Sequence, residues 1–111
     1  MRVQGSTSVA ANGTSGNVIS GKILEFVTRP SLCKFFAAAS AAGITAQVTS
    51  GPDVVLESGS VVSQANRFPI DPDDVLCRDV AGPGERLNMT FANTTAGALT
   101  VYWAVEVTPI A

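Results

Sequence analysis

The chain has no histidine, and that absence removes more chemistry than anything else in its composition. Imidazole is the commonest general base, the partner of Ser and Cys nucleophiles and the usual transition-metal ligand. Charge is also scarce: 14% of the 111 residues are Asp, Glu, Lys or Arg, against about 25% in ordinary soluble domains. A surface this poor in charge is expected to be covered in part by copies of itself or by a partner. The net charge is −2, and the seven basic residues, Arg2, Lys22, Arg29, Lys34, Arg67, Arg78 and Arg86, are scattered. They form no phosphate-binding footprint, so no direct nucleic-acid contact is expected. Long hydrophobic runs are missing as well. The longest apolar-leaning stretch, Phe35 to Ala46, is broken by Ser40 and Thr45 and is too short to span a bilayer, so no membrane partner is expected. Gln4-Gly5-Ser6-Thr7 stands where a signal peptide would be apolar. The protein is therefore expected to be soluble as synthesised, or released from a precursor. There are only two cysteines, Cys33 and Cys77. A bond between them would stabilise the fold by about 4 kcal/mol. Two separate buried thiols in a cytosolic product is the reading preferred without a leader, and zinc is not expected from two cysteines without histidine.

What is present is a globular amount of apolar residue, 46%, enough for one domain with a core of its own. The clearest pattern lies in the last quarter. Leu87, Met89 and Phe91 alternate with Asn88 and Thr90; then Leu99, Val101, Trp103, Val105 and Val107 alternate with Thr100, Tyr102, Ala104, Glu106 and Thr108. Period two marks strands with one face in a core. Asn93-Thr94-Thr95-Ala96-Gly97 between them can reverse the chain, so the pair reads as one long antiparallel hairpin. Trp103 is placed in the core and Tyr102 on the opposite face.

Upstream, Val3 to Gly21 carries no charge at all. Such a segment cannot bury enough apolar surface of its own to offset ordering entropy. Residues 1–21 therefore read as an extended N-terminal arm ahead of a domain over 22–111. The arm lies along its own domain or, the preferred reading, adds to a neighbouring subunit. Lys22–Val27 reads as the first firm strand, ended by Arg29-Pro30. Residues 31–42 lean to a short helix, with Ser31 as N-cap, Leu32, Phe35, Phe36 and Ala39 at helical spacing and Gly43 closing it; a strand ending in small residues is the alternative. Short strands are expected at 44–49, 54–57, 61–62, 68–70, 75–77 and 79–81, with turn signals between them. Together these describe an all-β chain, an antiparallel β-sandwich of jelly-roll-like kind or a small barrel.

No catalytic, cofactor-binding or metal-binding residue is assigned, and no enzymatic activity or cofactor is expected. Asp71, Asp73, Asp74 and Asp79 form the one carboxylate cluster, without the spacing of a calcium loop, and read as a solvated turn. Asn12, Asn88 and Asn93 begin Asn-x-Thr triplets and are taken as structural rather than as glycan acceptors. The Phe35/Phe36 pair reads as core.

The ending from Glu85 through Asn88-Met-Thr-Phe-Ala-Asn-Thr-Thr to Tyr102-Trp-Ala-Val-Glu-Val107, behind an uncharged Ser/Thr/Gly arm, resembles small β-sandwich virion proteins of bacteriophages: shell, decoration and tail-associated subunits. The likeness spans about residues 44–108 and rests on a style of strand pair, without a diagnostic residue. It implies a subunit with no active site that works by copy number and interlocking termini, partnered by itself and by other virion proteins, assembled in a host cytoplasm. The arm departs from shell proteins that touch a packaged genome, because its only basic residue is Arg2. Two other functions remain open: an extracellular fibre subunit, and a carbohydrate- or cell-surface-binding module using Tyr102 and the Asp71–Asp74 loop.

Overall fold

A computed structural model describes residues 2–22, 24–51, 53–63 and 75–110. It is all-β: β1 (Arg2–Val9), β2 (Ser31–Ala39), β3 (Ile44–Ser50), β4 (Asp53–Ser60), β5 (Val62–Ser63), β6 (Val75–Ala81), β7 (Leu87–Asn93) and β8 (Leu99–Pro109). Two antiparallel sheets pack face to face. One has the order β1-β8-β2-β5, with β6 also pairing β2; the other runs β4-β3-β7. Among the described residues, the one parallel pairing is the short contact of Ala38 and Ala39 with Val62 and Ser63.

Alternation supplies the core. From the larger sheet come Cys33, Phe35, Ala37 and Ala39 of β2 and Val101, Trp103, Val105 and Val107 of β8. From the smaller sheet come Ile44, Ala46 and Val48 of β3 and Leu87, Met89 and Phe91 of β7. Trp103 is buried, as its place on the apolar face of β8 requires, and Tyr102 on the other face is half-buried.

Four expectations need correction. The short helix near 31–42 is absent, and β2 occupies Ser31–Ala39. Phe36 and Ala38, on the face away from the sandwich core, are as buried as Phe35 and Ala37. A strand covered on both faces reads as an unbroken apolar run without period two, and its alanines then mimic a helix. The long hairpin is also absent. β7 and β8 both exist, but β7 pairs with β3 in one sheet and β8 with β1 and β2 in the other. The link 94–98 is an arch across the sandwich. Lys22–Val27 is no regular strand; Phe26 makes a single bridge to Arg86 and is 54% exposed. Finally, 75–77 and 79–81 are one strand, β6. Residues 68–70 and the Asp71–Asp74 turn lie outside the described residues.

The uncharged N-terminal run is ordered on both sheets by main-chain bonds, which need no particular side chain. β1 pairs with β8 over its whole length, Arg2 opposite Glu106 through Val9 opposite Leu99. The chain turns at Ala10 to Gly13, with Asn12 at φ 53°. It then runs along β7: Ser15 N–H donates to the Phe91 carbonyl at 2.8 Å and Val18 N–H to the Met89 carbonyl at 3.0 Å. Asn17 completes that edge with its side chain, accepting from the Met89 N–H at 3.1 Å and donating to the Leu87 carbonyl at 3.3 Å. The outer edge of β7 is thereby closed.

Candidate functional site

The residues that could carry chemistry gather at one place on the inner face. Opposite one another on β2 and β6 stand Cys33 with Asp79 and Phe35 with Cys77, so both thiols and the carboxylate share a side of the sheet. Both cysteines are free. Burial, and secondarily the Asp79 charge, pushes each thiol up to about 11. A thiol so protonated near neutral pH is a poor nucleophile and a poor metal ligand. Asp79 Oδ2 is buried without a hydrogen-bond partner. Among the described residues, no cluster of three or more His, Cys, Asp or Glu could hold a metal ion.

Two concavities are lined by described residues. The larger, about 540 Å³, is mostly apolar, with Leu24, Phe26, Val27 and Arg29 on one side and Val107 and Pro109 on the other. The smaller, about 320 Å³, lies where Thr14 and Ser15 meet Gln47 and Thr90. Neither contains the carboxylate–thiol cluster, and Tyr102 lines neither. Asp71–Asp74, the other half of the binding site expected with Tyr102, lie outside the described residues. Asn93 is buried, Asn12 exposed and Asn88 half-buried.

The sheet edges differ from one another in a way the sequence did not signal. β4 pairs with β3 through two irregularities, between Ala46 and Val48 and between Val48 and Thr49, and it carries Asp53 and Glu57. β6 carries Arg78 and Asp79 and a register shift opposite Phe35 and Phe36. Bulges and charges of this kind blunt an edge against other strands. β7 is covered by residues 13–18. β1 has none of these protections: eight residues in unbroken register, no proline, and no charge after Arg2. Arg2 itself is turned onto its own sheet. Its guanidinium lies 2.9 Å from Glu106 and 5.2 Å from the centre of the Phe36 ring. Gly5 sits against Trp103, where an added Cβ would be 2.9 Å from the ring. The missing side chain thus leaves room for the Trp103 ring against the middle of β1.

The hydrogen-bond pattern shows what this edge offers. Ser40 N–H donates to the Thr100 carbonyl at 2.9 Å, and Thr100 N–H to the Ser40 hydroxyl at 3.2 Å. Thr100 therefore points its main-chain groups toward β2. Successive residues of a strand alternate in this respect, so Val101, Trp103 and Val105 point theirs toward β1. Their partners are Thr7, Gly5 and Val3. That leaves Gln4, Ser6 and Ser8 with N–H and C=O directed away from the sheet. Their side chains are exposed as well. No strand lies beyond β1 among the described residues.

Fold and edges together define the class: an all-β protein of two packed antiparallel sheets in which, among the described residues, the margin of β1 carries neither bulge nor covering strand. No protein-family model, curated protein or solved structure matches the chain. Among the described residues, no helix is long and apolar enough to cross a membrane.

Proposed function

We propose that the protein is a structural subunit that assembles with copies of itself. The observation that carries this reading is the open margin of β1, a strand edge of eight residues without bulge or proline and without charge after Arg2, of the kind that single-copy proteins blunt. The low charge of the whole chain supports it. The resemblance of its ending to phage shell, decoration and tail-associated subunits supplies the setting: a virion component, capsid or decoration, acting through subunit–subunit contacts and through neighbouring virion proteins. In such a role the carboxylate–thiol cluster is core and performs no reaction. The test is assembly of the purified full-length chain, followed by light scattering and electron microscopy across a concentration series. Regular particles or discrete oligomers are the expected result; a single-chain mass at every concentration overturns the proposal.

A further inference from the structure

Resting on that reading, we infer that the contact between subunits is β1 against β1 of a second copy, antiparallel, about a twofold axis that passes between Gly5 and Gly5 of the partner subunit.

A continuous sheet requires opposite residues to share a face, so the numbers of paired residues must both be even or both be odd. Gln4, Ser6 and Ser8 turn their main-chain groups outward, so the hydrogen-bonded pairs must be drawn from even-numbered residues. The register that joins most of them places Gln4 opposite Ser6 of the partner subunit, Ser6 opposite Gln4 of the partner subunit and Ser8 opposite Arg2 of the partner subunit. Shifting by two residues in either direction loses a hydrogen-bonded pair. Gly5 then faces Gly5 of the partner subunit in the closer, non-hydrogen-bonded kind of pair, about 4.5 Å between Cα atoms. Absence of a side chain suits that approach, and Trp103 covers the inner side in each subunit. Val3 faces Thr7 of the partner subunit, a pair of β-branched residues on the inner face.

Charge disfavours the parallel alternative. Arg2 is the single charged residue in β1, and an in-register parallel pairing would set it beside its own copy. In the proposed register it meets Ser8 while its guanidinium stays on Glu106 of its own subunit. The other margins fit a second copy less well. Like pairing of β4 sets Asp53 and Glu57 among their own kind, and β6 is interrupted.

The experiment is sedimentation or light scattering of the full-length chain and three variants. Ser6→Pro removes an outward N–H and no bond to β8, and should weaken association by about tenfold or more. The double variant Gln4→Lys with Ser6→Lys keeps every main-chain group and opposes lysine to lysine, so it should dissociate too. Gln4→Lys with Ser6→Glu opposes lysine to glutamate in this register and should assemble like wild type. Amide exchange should show Gln4, Ser6 and Ser8 protected in wild type and exchanging in Ser6→Pro. If wild type assembles and the Ser6→Pro and lysine variants assemble equally well, the β1 contact is wrong and the structural reading stands. If the lysine–glutamate variant dissociates along with the lysine–lysine one, the register is wrong. If wild type is a single chain throughout, the structural reading itself fails.

Discussion

Asn93 does more for this fold than its place in a turn-like stretch announces. Its amide donates to the Val9 carbonyl at 3.1 Å and the Gly97 carbonyl at 2.8 Å, while its oxygen accepts from the Thr95 N–H at 2.9 Å. With 2% exposure, it ties the end of β1 to the arch between β7 and β8. Asn93→Ala removes the donor to the buried Val9 carbonyl and the acceptor of the part-buried Thr95 N–H, while the Gly97 carbonyl keeps the Thr95 hydroxyl; it should cost about 1–3 kcal/mol, read as a lower urea midpoint with unchanged slope. Glu25 sets a pH dependence. The Gly21 N–H, and after it the Arg86 guanidinium at 2.7 Å, hold its carboxyl below its ordinary value of 4.5. A carboxyl lowered by folding stabilises the protein above its unfolded value. That contribution should disappear as pH falls below about 4.5, and Glu25→Gln should flatten this part of a stability–pH curve. The thiols act at the other end. Raised from 9.0 to about 11, they favour the folded state below pH 9, and that preference is lost as pH rises toward 11. Asp79→Asn removes one of the two causes that raise Cys77 and should bring both thiols part of the way back. Alkylation rates against pH measure this. None of these roles was legible in the sequence, because each depends on which distant backbone group a side chain meets.

At the scale of elements, faces were legible and partners were not. Ile44, Ala46 and Val48 point inward as their spacing demands, as do Leu87, Met89 and Phe91. The same spacing arises for any two strands that bury a face in one core, whether adjacent or on opposite sheets. That is why β7 and β8 look like a hairpin and are an arch. β2 misleads for a different reason: both of its faces are covered, which erases the alternation that separates strand from helix. The side chains of β1 offer little burial, which is why its composition predicts an arm; its order comes from pairing with β8 and from three small anchors. One is Gly5 under Trp103. Gly5→Ala presses a methyl into the ring and should cost about 1–3 kcal/mol, with a change in tryptophan fluorescence. Another is Arg2 on Glu106 and Phe36. Both charges are about a third exposed, so Arg2→Ala should cost only about 1 kcal/mol and chiefly hasten amide exchange at the start of β1. The third anchor is Asn93 at the strand's end.

For the whole molecule, the questions are how a chain with so little charge stays in solution and where it meets its partners. Some of its few ionic groups are spent on its own frame: Arg2 with Glu106, and Arg86 with Glu25. Among the described residues, bulges and charges on β4 and β6 and the 13–18 segment beside β7 protect those edges, whereas Gln4, Ser6 and Ser8 on the margin of β1 are exposed. A molecule arranged in this way should gain hydrogen bonds by meeting its own copy. The most direct measurement is the mass of the purified full-length chain by sedimentation equilibrium over a wide concentration range. Mass rising in whole multiples of the chain is the predicted result. One copy at every concentration, with the amides of Gln4, Ser6 and Ser8 exchanging freely, would contradict it.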